Sequence, residues 1–181
     1  MKARSTSVEL PTIEPHLSRV VRIINLGLQP GFVWEGQEIE SDYKLEFTFE
    51  IRDQNMRDNR PFWISKEINN KDSEKSTLYA WALACGTDVS NIDQMLNAPV
   101  MMTPKLKKSG WPTVDNIAGL PSSMAANVSE VENEALIFDF TEDEPDMETW
   151  YKLPENTQEK IMKALDIQDY PFFAKLAMEQ I

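Results

Sequence analysis

The sequence predicts a mainly β protein: a β-barrel of five strands with a helix between strands three and four, followed by an acidic, partly helical C-terminal extension. Three observations carry this expectation. Leu45, Phe47, Phe49 and Ile51 alternate with Lys44, Glu46, Thr48, Glu50 and Arg52, the period-2 pattern of a half-buried antiparallel strand. Residues 60–86 pass from a β-rich aromatic run (PFWISK) through the polar turn NNKD into a helix with Leu78, Trp81, Ala82 and Cys85 at i, i+3, i+4 and i+7. The charge is also uneven: of a net −12 over 181 residues, residues 1–128 hold −2 and residues 129–181 hold −10. The body is nearly neutral and the acid lies behind it.

Taken in order, residues 1–17 mix Ser, Thr and Pro without a period and are expected to form a flexible arm. His16, the only histidine, has no second His or Cys nearby and is expected to be solvated. Residues 19–26 (RVVRIINL) are rich in β-branched side chains and read as a first strand, ended by residues 27–31 with Pro30. Phe32, Val33 and Trp34 run into a turn-like break at residues 35–37, and residues 44–52 form the second strand. The polar residues 53–59 link it to the third, at residues 61–66. Asp72 or Ser73 is the expected N-cap of the helix and Gly86 its C′ residue. A second short helix is expected at about residues 90–96, with Ser90 and Asp93 spaced as a capping box. A proline-bounded strand (residues 99–104), a basic loop with Trp111 and a fifth strand (residues 113–120) complete a body of residues 18–128.

Residues 129–148 hold nine acidic side chains and no basic one, so this linker repels itself and is expected to be partly extended. Within it lies an apolar island, ALIFDF (residues 135–140). Helices are expected at about residues 156–165 and 171–179, the latter carrying Phe172, Phe173, Leu176 and Ala177. Their apolar faces require cover, from the body or from a second copy in a homodimer.

Catalysis finds little support. No G-x-S-x-G, phosphate-loop or H-E-x-x-H motif occurs, and with a single histidine no Ser/His/Asp or Cys/His pair is expected to assemble. Cys85, in the apolar stripe of its helix, reads as a packed thiol. No cofactor and no metal are expected, and the apolar runs are too short to span a bilayer, which predicts a soluble, non-secreted protein without a membrane partner.

Binding is better supported. Strand, strand, strand, helix, strand, strand is the plan of an oligonucleotide-binding (OB-fold) barrel, whose sheet face and loops hold single strands. That use requires rings for bases to stack on and cations along the phosphates. The candidates are Trp34, Tyr43, Phe62, Trp63 and Trp111 for stacking, with Arg22, Lys44, Arg52, Arg60, Lys66, Lys105, Lys107 and Lys108 for the backbone. Parity places Phe62, Ile64 and Lys66 on one face of their strand and Trp63, Ser65 and Glu67 on the other. Because lysine is rarely buried unpaired, the Lys66 face is the preferred ligand face, unless it ends at the barrel rim.

Several segments together resemble a known family: LGLQPGFVWEG (residues 26–36), RPFWISKEI (60–68), EKSTL (74–78), IAGLP (117–121), LIFDF (136–140) and WYKLPENTQEKI (150–161). They resemble bacteriophage single-stranded DNA-binding proteins of OB-fold type, over most of residues 20–165. The resemblance implies coating of single-stranded DNA during replication or recombination in the cytoplasm of an infected host cell. It does not identify ligand residues. The long acidic stretch and apolar tail depart from a simple disordered acidic tail. The acidic C-terminal region would compete for the basic groove at high effective concentration and offer a handle for replication or recombination enzymes. The rival readings are an acidic phage protein-interaction module, such as a host-enzyme binder or DNA mimic, and a virion structural protein.

Overall fold

A computed structural model of the protein describes residues 8–181. Its centre is a long strand, β1 (His16–Gln29). The hairpin β2 (Phe32–Trp34) and β3 (Gln37–Ile39) follows, turning on Glu35 and Gly36, both at positive φ (49° and 78°) as a tight two-residue hairpin turn requires. The alternating segment becomes β4 (Asp42–Asn55), antiparallel to β1, and β5 (Pro61–Asn69) pairs with β4. After helix α1 (Thr77–Ala84), β6 (Pro99–Leu106) pairs with the start of β1, and β7 (Pro112–Ala118) pairs with β6. The path is β5-β4-β1-β6-β7.

A sixth strand extends the expected five. A short α2 (Ser122–Ala125) leads to β8 (Leu136–Asp139), the apolar island, which lies parallel to β1 along Arg22–Asn25, beyond the point where β6 leaves that edge. The sheet is not hydrogen-bonded into a closed barrel: β5 and β7 approach without strand pairing, and α1 packs against both. The structure is therefore mainly β, an antiparallel-dominated six-stranded sheet with helices.

Two cores flank β1. Val20 and Ile23 point into the first, with Phe47, Phe49, Phe62 and Ile64. A register shift between Val20 and Arg22 resets the alternation, so Arg22, Ile24 and Leu26 share the opposite face. Trp81 of α1 meets Phe47 and Phe49 edge-on, with centroids 5.4 and 5.3 Å apart. The α1 N-cap is Ser76, whose hydroxyl accepts from the Tyr79 amide (3.1 Å), rather than Asp72 or Ser73. Its C-terminus ends as expected at Gly86: the Gly86 and Thr87 amides donate to Leu83 and Ala82, both at 3.0 Å, the Schellman pattern with a left-handed glycine. The expected second helix is one 3₁₀ turn, Ile92–Met95, because the Ser90 side chain bonds Asp88 instead of capping. Burial pushes the Cys85 thiol up to about 12, which suits a packing role.

The second core is built by the C-terminal region. Helices α3 (Met147–Lys152), α4 (Glu155–Met162) and α5 (Pro171–Glu179) close over Ile24, Leu26, Phe138 and Phe140. Phe172 sits at the centre, with ring centroids 4.9 Å from Trp150 and 5.7 Å from Phe138. The apolar faces that the sequence left in need of cover thus find it on β1 of the same chain. Gly27 is required there: its φ is +68°, and a Cβ would lie 2.4 Å from the Phe140 ring and 2.8 Å from Asp166.

The expected arm divides. Residues 1–7 lie outside the described residues, while His16 is buried rather than solvated. Its ring nitrogens face the Asp53 carboxylate (2.6 Å) and the Thr12 carbonyl (2.9 Å), acceptors that compensate its burial. Among the described residues no helix is long and apolar enough to cross a membrane.

Candidate nucleic-acid interface

The face of β1, β4 and β5 opposite the first core carries Arg22, Glu46, Thr48, Glu50, Arg52, Trp63, Ser65 and Glu67 by strand parity and register. The C-terminal region crosses it and divides it in two.

At one end no buried side-chain polar atom of the described residues lacks a partner. Glu50 is fully buried and accepts from Arg52 Nη1 (2.9 Å), Trp63 Nε1 (2.8 Å), the Glu132 amide (2.7 Å) and Asn133 Nδ2 (3.0 Å). Burial pushes its carboxyl up, but these hydrogen bonds and the Arg52 charge outweigh that and hold it below the ordinary glutamate value. Arg52 Nε donates to Ser129 Oγ (3.1 Å), and Arg19 donates to the Val128 and Ser129 carbonyls at 2.7 and 3.0 Å. Cations of the sheet thus pin the start of the acidic stretch.

At the other end a cleft of about 710 Å³ opens. Its floor holds Arg22, Glu46 and Ser65; β5, β6 and β7 supply Lys66, Lys105 and Thr113; the β6–β7 loop supplies Lys107 and Trp111; and α4 closes it with Asn156, Thr157 and Lys160. Lys160 lies 2.9 Å from Glu46 and 2.7 Å from Glu67, one positive charge shared between two carboxylates. Burial works against the Lys160 ammonium, yet its bonds to Glu67 and Glu46 prevail and raise its pKa above the ordinary value. Lys66 is lowered, first by burial and then by Lys105 and Lys107, with Asp115 opposing. The cleft is short of anions. Arg22 makes this plainest: it is 9% exposed, its guanidinium sits over the Trp63 ring (4.9 Å to the centroid), and its Nε has no hydrogen-bond partner among the described residues. Burial lowers its pKa and nearby Glu46 opposes.

Beside the cleft stands an exposed aromatic rim. Lys108 of the β6–β7 loop bonds Glu35 at the tip of the β2–β3 hairpin (2.9 Å), bringing the two loops together. Phe32, Val33 and Trp34 on the hairpin and Trp111 on the loop are each more than half exposed.

The thirteen sequence candidates therefore separate. Arg22, Lys66, Lys105, Lys107 and Trp111 line one cleft, and Trp34 and Lys108 belong to the adjoining loops. Lys66 also donates to the Val114 carbonyl (3.0 Å), across the gap between β5 and β7. Phe62 is a correction: with Ile64 and Ile68 it lies in the first core, so the open face is that of Trp63, Ser65 and Glu67, while Lys66 reaches the rim. Arg52 is consumed by Glu50 and residues 129–132. Arg60 is exposed and pairs with Asp58 (2.6 Å), Lys44 bonds Asn69, and Tyr43 is exposed at the start of β4; none of these three lines the cleft. Sequence reasoning missed Phe32, whose place two residues before Trp34 in a hairpin was the available signal. It also missed Lys160 and Thr157, which reach the cleft only because α4 docks there.

Among the described residues, no group of three or more His, Cys, Asp or Glu side chains is placed to hold a metal ion. Comparison with protein-family models, with curated proteins and with solved structures finds no match.

Proposed function

We propose that this chain is a sequence-nonspecific single-stranded DNA-binding protein of a bacteriophage, acting by coating DNA in replication or recombination rather than by catalysis. One observation carries the reading: in a protein of net charge −12, five cations converge on a single cleft beside a rim of exposed aromatic rings. Cations along a groove with stackable rings are what an unstructured nucleic-acid strand requires. The path β5-β4-β1-β6-β7, with α1 between its third and fourth sequential long strands, supports an OB-type barrel in which β5 and β7 meet without pairing. In that arrangement the β1–β4 connection with its hairpin and the β6–β7 loop are the natural ligand loops, and here Lys108 and Glu35 link them. The segment resemblance supports the phage setting, the host cytoplasm and the acidic C-terminal region as a contact for replication or recombination enzymes.

Fluorescence titration of the full chain with oligo-dT tests this. Trp34, Trp63 and Trp111 are exposed and Trp81 and Trp150 buried, so partial quenching is expected at low salt, with affinity falling steeply as salt rises. Absence of quenching at low salt together with capture of a basic protein would replace the reading with that of an acidic interaction module.

A further inference from the structure

The cleft contains a charged group that folding has buried without satisfying. An arginine nine-tenths out of water with a buried, unpartnered Nε–H costs stability, since such donors normally find an acceptor. The neighbouring carboxylate does not remove this cost: Glu46 is engaged by Lys160 (2.9 Å) and by the Thr157 hydroxyl (3.4 Å). The guanidinium carbon lies 4.9 Å from the Trp63 ring centroid, a cation–π contact, and Lys66 and Lys107 line the same cleft. The missing group is an oxyanion able to accept from a planar fork and from ammonium groups together, which is the chemistry of phosphate.

We infer that the cleft is a phosphate-binding subsite in which Arg22 donates through Nε–H to one phosphate of a nucleic-acid strand, Lys66 and Lys107 neutralise it, and Trp111 stacks the adjoining base. This rests on the single-stranded DNA reading and adds a fixed phosphate position to otherwise sequence-independent binding. Lys160 has a distinct part: by bridging Glu46 and Glu67 it offsets one of the two negative charges that would repel the phosphate. The C-terminal region completes the subsite through α4 instead of competing for it.

The test follows the side-chain Nε–Hε resonances of the ¹⁵N-labelled full chain, with that of Arg22 identified by its loss in Arg22→Lys. Adding an eight-residue oligo-dT is expected to shift the Arg22 resonance and to leave that of Arg52, bonded to Ser129, in place. Arg22→Lys keeps the charge but loses the fork and is expected to weaken oligo-dT binding about tenfold, the scale of one charge-assisted hydrogen bond. If that variant does not fold, the Arg22 Nε–Hε line is assigned in the wild type by through-bond correlation to its own backbone amide, its shift decides, and Lys107→Ala gives the affinity measurement. Thymidine 5′-monophosphate and inorganic phosphate form separate arms; a shift with either one and none with oligo-dT would overturn a strand phosphate in favour of a free phosphate source. Oligo-dT that quenches tryptophan without moving the Arg22 resonance would overturn the subsite and leave DNA binding standing. Oligo-dT that does neither would overturn the DNA reading itself.

Discussion

Around Glu50 and around Arg22, the same sheet face carries the same residue types, an arginine, a tryptophan and glutamates, to opposite effect. At Glu50 each carboxylate oxygen has at least two donors, supplied by Arg52, Trp63 and residues 132–133, and the group holds the C-terminal region to the sheet. At Arg22 the guanidinium has a ring beneath it and an unpartnered Nε, and the nearest carboxylate is occupied by Lys160. Residue type alone does not separate a lock from a binding site. Whether the buried polar atoms are satisfied does, because an unsatisfied charge retains free energy that a ligand can recover.

The sharpest way to break the comparison is Glu50→Ala. It strands four donors, Arg52 Nη1 among them, and is expected to cost about 3–5 kcal/mol, the scale for removing one member of a buried ionic group, as read by urea unfolding. Residues 129–134 should then become open to limited proteolysis; an unfolding midpoint like that of the wild type would show that the lock carries no stability.

A second effect is acid sensitivity. The folded pKa of Glu50 lies below its unfolded value of about 4.3, so its contribution is present above that pH and is lost as pH falls through the folded value. Urea midpoints should decline more steeply below about pH 4.3 in wild type than in Glu50→Gln, which lacks the titrating group. Parallel curves would remove Glu50 as the cause.

Arg22→Met is expected to do the opposite of Glu50→Ala. Replacing an unsatisfied buried cation by an apolar chain should change stability by less than about 1 kcal/mol, or raise it, while oligo-dT affinity drops about tenfold. A stability loss like that of Glu50→Ala would place Arg22 with the lock. The smallest effect is expected from Arg60→Ala, whose exposed pair with Asp58 lies outside the cleft: under about 0.5 kcal/mol in stability, with an unchanged salt slope of binding.

Much of the sheet was legible because period-2 alternation reports side-chain direction. Leu45, Phe47, Phe49 and Ile51 do face the first core, and Gly86 does end α1. The other side of β4 was misleading: Glu46, Thr48 and Glu50 are buried as well, so the strand is covered on both faces rather than half-buried. Nothing local announces that, because the cover comes from residues more than eighty positions later. The cleft was legible in part for the same reason. Lys105, Lys107 and Trp111 lie within seven residues of one another, at the end of β6 and in the loop after it, whereas Lys160 belongs to a helix whose docking depends on Phe138, Trp150 and Phe172 packing against Ile24 and Leu26.

Neighbouring residues, then, were enough to place the main strands of the body, α1 with its terminal glycine, and the separation of a neutral body from an acidic C-terminal third, but not β8 or α3. Only the tertiary structure decided which charges are spent and which remain available. Arg52 and Arg22 are alike as sequence features, two outward-facing cations on adjacent strands; Arg52 has Glu50 two residues away and a returning chain that adds Ser129 and Glu132, whereas Arg22 keeps an unpartnered donor. Pairing of buried charge is set by distance in space, and that is fixed only when the C-terminal helices dock on β1.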